Sequence, residues 1–237
     1  MSIRHSVASA YILVLLTGLA QGQSASPIKR GTELFKQQDY QLAIKEYQRV
    51  SESNPDEYAQ AQYNIGVCYY ELWRTDDAIA FYRRAIELKR GKYPVASYAL
   101  GVAYEDQNKL GDARVAYRSA LKGYAVATYR LGVVFAKEGD VVSAAEYFKA
   151  ANRKRGPHVP ASHNNLGVML AQMGKFSEAE AEFSEALRLA DGRFDDAAYN
   201  LELSKKLRLL SKNHEHPAAF LMADDYGKGS IHGNQTP

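Results

Sequence analysis

Residues Tyr63–Tyr70 read YNIGVCYY, apolar enough for a buried helix yet carrying Gly66 near its centre. Glycine in a helix interior costs about 1 kcal/mol relative to alanine, so this one needs a compensating reason. The frame returns as YALGVAYE from Tyr98, YRLGVVFA from Tyr129 and NNLGVMLA from Asn164. Gly31, Gly66, Gly101, Gly132 and Gly167 are spaced by 35, 35, 31 and 35 residues. Twelve residues after each glycine stands an alanine: Ala43, Ala78, Ala113, Ala144 and Ala179. Four further on is an aromatic (Tyr47, Tyr82, Tyr117, Phe148, Phe183), and three beyond that Val50, Ala85, Ala120, Ala151 or Ala186. Five units agreeing at four positions make a tandem repeat.

Helix punctuation follows the same frame. In ESNPDEY, Asn54 is placed to cap, Pro55 to take the first helical position, and Asp56 and Glu57 to sit where the helix dipole favours anions. RTDDA restarts a helix, with Thr75 expected as its cap and Asp76 and Asp77 in the first turn. Endings of the form basic-then-glycine recur at Lys89–Gly91, Lys122–Gly123 and Arg153–Gly156, where a left-handed glycine would close the helix. No alternating apolar run and no hairpin signal is present in the sequence. Each unit therefore reads as two antiparallel helices. Gly66 and Ala78 let their backbones approach, and Tyr69 and Tyr82 fill the space beside that contact. A pair cannot bury both its faces alone, so neighbours stack into an all-α solenoid.

The pattern resembles the tetratricopeptide repeat. Ile65, Leu100, Leu131 and Leu166 before the glycine, the glycine, an aromatic three residues on, and the alanine, aromatic and alanine of the second helix match its signature. The resemblance covers residues 24–192, five units in all. The first unit is the loosest, with Arg30 in place of the leucine and Leu34 in place of the aromatic. The fourth, on its 31-residue approach, is similar to the related Sel1-type repeat. DDAAYNLELSKKLRLLSKN then repeats the first-helix frame with Glu202 in place of glycine, which predicts a C-terminal capping helix over 193–213. The polar stretch 214–237 is expected to be disordered.

Two stripes run along each first helix. Ile65, Gly66 and Tyr69 share one side, and Tyr63, Val67 and Tyr70 another. The second stripe repeats as ladders: Tyr63, Tyr98, Tyr129 and Tyr199 three residues before the glycine frame, and Val67, Val102, Val133, Val168 and Leu203 one after it. By resemblance to tetratricopeptide proteins this side lines a concave groove for a partner segment, with Asn64, Asn165 and Asn200 where that family often holds a ligand backbone. Arg130 falls on the same side. An apolar, aromatic groove suits an amphipathic helix or an extended hydrophobic segment. The other reading of the same tyrosines and valines is packing between units. The family's carboxylate-binding variant needs lysine and asparagine where tyrosine and valine stand here. Glu105, Asp106, Arg130 and Lys137 are expected as a charge gradient along the groove or as solvated surface charge.

The remaining signals bound the function class. Arg4, the apolar run Val7–Ala20 and the small residues Ala20 and Gly22 have the layout of a secretory signal peptide over 1–22, with an uncleaved anchor as the alternative. The run is shorter than the ~20 residues that span a bilayer, so no span is expected after cleavage, and the destination is the periplasm or the exterior. A net charge of +3 is too mild to imply nucleic acid. Cys68 is the single cysteine, expected to be packed and inert. His214, Glu215 and His216 could bind a metal but fall in the polar tail, where no third ligand is held in fixed geometry, and His158 and His163 are expected to flank Pro160 in a loop. No catalytic triad, phosphate loop or dinucleotide fingerprint is found. The sequence thus predicts an exported, non-enzymatic, cofactor-free scaffold for a protein or peptide partner. A structural subunit or homo-oligomer using convex or terminal surfaces is the alternative.

Overall fold

A computed structural model of the chain describes residues 25–210 together with Met222. The expected leader over 1–22 lies outside the described residues, as does the stretch from 211 onward apart from Met222. Five helix pairs follow one another: α1 (Pro27–Lys36) with α2 (Tyr40–Tyr47), α3 (Pro55–Glu71) with α4 (Thr75–Leu88), and α5 (Pro94–Asp106) with α6 (Leu110–Ala120). Then come α7 (Val126–Lys137) with α8 (Val141–Asn152) and α9 (Val159–Gln172) with α10 (Phe176–Leu189). Each second helix also packs on the first helix of the next pair, and α11 (Asp195–Leu210) closes the stack on α10 and α9. Among the described residues the chain is an all-α solenoid with no strand.

The repeated glycine is the seat of a ring. A Cβ on Gly66 would stand 2.7 Å from the Tyr82 ring and 3.3 Å from the Ala78 carbonyl oxygen. The same clash arises between Gly31 and Tyr47, Gly101 and Tyr117, Gly132 and Phe148, and Gly167 and Phe183. The second-helix aromatic therefore lies directly on the glycine, not beside the backbone contact as the sequence suggested. Tyr82, Tyr117, Phe148 and Phe183 are fully buried there, as are Ala78, Ala113, Ala144 and Ala179 one helical turn before them.

Local chemistry sets the helix ends, with some departures from expectation. Asn54 caps α3, its Oδ1 accepting from the Glu57 amide at 3.3 Å ahead of Pro55. Thr75 does not cap α4. It is the first helical residue, Arg74 holds the cap position, and the Arg74 Nε donates to Asp77 at 2.7 Å. Gly91 is left-handed as expected, but Arg90 before it is too. Gly123 is not left-handed; its missing side chain leaves room for the Pro94 ring, 2.7 Å from where a Cβ would sit. Pro160 and His163 lie inside α9, not in a loop, because proline is well suited to the first helical turn. The turn inside each unit carries one left-handed residue seven positions after the glycine: Gln38, Trp73, Asn108, Gly139 and Gly174. Trp73 is the costly choice there, with φ +59° and 92% exposure.

The short fourth approach is absorbed at helix ends. α6 has 11 residues against 14 in α4 and α10, and α7 begins only six residues before Gly132. No described helix is long and apolar enough to cross a membrane. Cys68 is buried and free, and burial pushes its thiol up to about 12.

The ring-on-glycine contact sets a test. Gly132→Ala gains helix propensity of up to about 1 kcal/mol but must displace Phe148, and overpacking of this kind costs about 1–3 kcal/mol. Net destabilisation is expected in urea melts followed by circular dichroism. Gly111→Ala on α6, where a Cβ meets nothing within 4 Å, should stabilise by about 0.5–1 kcal/mol. Equal effects at the two sites would mean that the ring does not need the glycine.

Candidate functional site

The first helices α3, α5, α7, α9 and α11 lie side by side and are tied by side chains one repeat apart. The Tyr70 hydroxyl donates to Asp106, joining α3 to α5. Glu105 on α5 pairs with Arg130 and, at 3.0 Å, with the Lys137 Nζ, both on α7. Asn165 Nδ2 donates to the Tyr129 hydroxyl at 3.3 Å, joining α9 to α7, and Asn200 Nδ2 donates to Asn164 Oδ1 at 2.9 Å, joining α11 to α9. Asn164 in turn donates to Asn165 at 3.1 Å. The stripe that the sequence picked out is thus brought together as one continuous face.

That face is covered more completely than expected. Tyr98, Val102, Tyr129, Arg130, Val133, Asn165, Val168 and Asn200 are all buried, Val67 nearly so, and only Tyr63, Asn64 and Tyr70 are half-buried. Asn165 and Asn200, placed by the resemblance to grip a ligand backbone, hold neighbouring units instead. The tyrosines stack within and between pairs: Tyr63 with Tyr82 and Tyr93, Tyr98 with Tyr117 and Tyr124, Tyr129 with Phe148. Burial raises the Tyr63 hydroxyl above its usual range, helped by Tyr124 and Tyr93. Burial and then the Asp106 carboxylate do the same for Tyr70.

The expected charge gradient is instead a closed network. Glu105 and Arg130 have fully buried side chains, the Tyr117 hydroxyl donates to Glu105 at 2.8 Å, and the Arg130 Nε donates to the Tyr117 oxygen at 3.4 Å. Burial by itself would lower the Arg130 pKa, but Tyr117 and Glu105 more than offset it and keep the guanidinium charged. Tyr117 was not among the residues the sequence singled out for this face. The available signal was a carboxylate and a guanidinium inside otherwise apolar frames, at Glu105 and Arg130, which favours a buried pair over solvated charge.

Other candidates resolve into structure. His163 Nδ1 lies 2.6 Å from Glu182 and 3.1 Å from the Asn152 amide, fastening α9 to α10 and α8. His158 is buried beside Tyr129, and that burial lowers its pKa. Among the described residues no group of three metal-ligating side chains is found; His214, Glu215 and His216 lie outside them.

Comparison with known proteins agrees with this architecture. The sequence profile of the tetratricopeptide repeat family matches residues 28–97 and 98–155, and a second profile of the same description matches 160–193. This chain belongs to the tetratricopeptide repeat family. The first profile runs through the short fourth unit without a break. No curated protein sequence matches at a significant level. Among solved structures, a crystal structure of MamA superposes with a TM-score of 0.61 at 24% identity, covering 68% of this chain and 94% of that one. A second crystal structure of the MamA protein gives 0.60 at 21%, covering 81% and 96%. MamA residues 41-end from Desulfovibrio magneticus RS-1 gives 0.59 at 17%, covering 69% and 93%. At these identities the likeness concerns the fold. As a tetratricopeptide repeat protein the chain is a protein-binding scaffold, and its first helices form the face to be tested.

The buried network makes a quantitative expectation. Glu105→Ala strands Arg130 without its carboxylate and should cost about 3–5 kcal/mol, whereas replacing both (Glu105→Leu with Arg130→Met) should cost less than either single change. Urea unfolding of the four chains closes the cycle. Simple addition of the two single losses would show that the charges are not coupled.

Proposed function

We propose that this protein is an exported scaffold that holds a segment of a partner protein along the inner side of its first helices, as an adaptor or assembly factor of the cell envelope. The observation that carries this reading is the continuous face built from equivalent positions of α3, α5, α7 and α9. It presents tyrosine and asparagine at the α3 end, where Tyr63, Asn64 and Tyr70 are half-buried and reachable. Alternating aromatic and amide groups suit a segment that inserts apolar side chains while its backbone meets donors and acceptors. Export rests on the leader layout of residues 1–22, with cleavage after Gly22.

The test uses two baits, the exported chain and a Tyr63→Ala, Asn64→Ala, Tyr70→Ala variant, matched for helicity and used in cross-linking capture from envelope extract. Loss of a captured protein by the variant, by about tenfold or more as expected for loss of an interfacial anchor, is the expected result. Equal capture by both would move the binding surface to the outer helices or the ends. Intact mass of the exported chain checks the leader: it should begin at Gln23.

A further inference from the structure

The two edges of the solenoid differ in charge. The turns inside each pair (37–39, 72–74, 107–109, 138–140 and 173–175) hold Arg74, Lys109 and Lys175 against Asp39, Glu138 and Asp140, and so balance. The connections between pairs lie on the opposite edge, and the three central ones contain no acid: KRGKY over 89–93, LKGYA over 121–125 and RKRGPH over 153–158. They hold seven lysines and arginines. The helices that start there, α5, α7 and α9, add no acidic residue in their first turns. The chain as a whole has a net charge of only +3, so the excess is local to this edge.

Folding does not account for this patch. A helix C-terminus favours a cation within its last turn, which covers Lys89 and Arg153 as the cap residues of α4 and α8. Lys92 and Arg155 stand beyond those ends. Arg90 takes a left-handed backbone, φ +52°, a strained choice for arginine. The matching position after α10 is Asp191, a residue type that adopts this conformation more readily. Elsewhere exposed arginines pair with a carboxylate three residues away, as Arg74 does with Asp77, Arg84 with Glu87 and Arg188 with Glu185. Here Lys89 meets Asp56 at 2.6 Å, and among the described residues the other six cations have no ion pair. Arg90, Lys92, Lys122, Arg153 and Arg155 are exposed.

The patch is continuous and bounded. The Pro94 ring fills the space at Gly123, which joins the first loop to the second, and the Tyr98 and Tyr124 ring centroids are 4.4 Å apart across the same junction. His158 of the third loop lies against Tyr129 of α7, which the second loop feeds. Packed helices lie about 10 Å apart, so the three loops span about 20 Å. At either end the patch stops at carboxylates: Asp56 and Glu57 at the start of α3, and Asp191, Asp195 and Asp196 around the start of α11. A nucleic-acid strand or a lipid leaflet extends past such a patch and meets that acid. A peptide of about six extended residues does not. We propose that this edge binds a short carboxylate-rich segment of a partner protein, at a site separate from the inner face. The site goes beyond the inner-face reading and does not depend on it.

The probe is a fluorescent peptide of about eight glutamates, long enough to cross the patch, titrated into the chain by anisotropy at about 0.15 M salt. Saturable binding is expected. Lys92→Glu, Lys122→Glu and Arg155→Glu together, one exposed cation from each loop, should weaken it about thirtyfold, at about threefold for each exposed pair lost. Lys36→Glu, Lys109→Glu and Lys175→Glu together make the same change in net charge at the opposite edge and should shift the affinity by less than about threefold. Helicity of both variants is matched by circular dichroism. Equal losses in the two variants would make binding a property of net charge and overturn the proposal. So would the absence of saturation, or tighter binding of an oligothymidylate or of phosphatidylglycerol vesicles than of the peptide. The Tyr63→Ala, Asn64→Ala, Tyr70→Ala chain should bind the peptide as the native chain does. If that chain also captures every partner from extract, the inner-face reading fails and this site stands. Loss of the peptide by that chain would place the acidic segment on the inner face and overturn the proposal.

Discussion

An aromatic ring seated on a glycine is the contact from which the rest of this molecule is built. It recurs in all five helix pairs. Burying an aromatic side chain removes about 150–250 Å² from water, which at about 25 cal/mol per Å² is several kcal/mol. The glycine's helix penalty is about 1 kcal/mol, so the balance in each unit favours the pair. The ring also fixes how the two helices cross, because a ring over a bare backbone has little freedom to slide. The buried alanine one turn before the ring is small enough for the second helix to come close, and in the second unit the Ala78 carbonyl oxygen lies 3.3 Å from where a Cβ on Gly66 would stand. With each pair set this way, the first helices fall side by side and the inner face follows.

Between pairs the adhesive changes character. Most of the contact is apolar, but the first helices are also stitched by polar links: Tyr70 to Asp106, Glu105 to Arg130 and Lys137, Asn165 to Tyr129, Asn200 to Asn164. The charged link falls at the junction between Gly101 and Gly132, the one place where the repeat is four residues short. Buried charges add little net stability, but they are strongly unfavourable when unpaired. Glu105 is satisfied only when α7 presents both Arg130 and Lys137. The network therefore discriminates against slipped arrangements at the junction where helix lengths give the least guidance.

These features bear on the proposed function, in which a partner is held on the face that the first helices share. Here that face carries side chains already engaged with one another, and among the described residues it is partly open at its α3 end and at Tyr199 of α11. A partner reaching the rest of it has to exchange contacts, not fill empty space.

The repeat, its period, the two-helix unit and the family were legible in the sequence, because they rest on strict positional rules: glycine, then alanine, aromatic and small residue at fixed intervals. The Asn54 cap and the burial of Cys68 were legible for the same reason, each being set by near neighbours along one helix. Thr75, Gly123 and Pro160 misled because capping, turning and helix entry depend on backbone angles that several residue types can satisfy. The site was legible only as a stripe. Sequence periodicity says which side chains share a helix face, but not what lies across from that face. Whether Asn165 grips a ligand or Tyr129, and whether Glu105 meets water or Arg130, is settled by a residue some thirty positions away brought within hydrogen-bonding distance. The sequence by itself determined the unit and its repetition, since those are written in local spacing. The tertiary structure alone decided what the shared face is made of and how far it is closed, since those depend on contacts between units that no local spacing encodes.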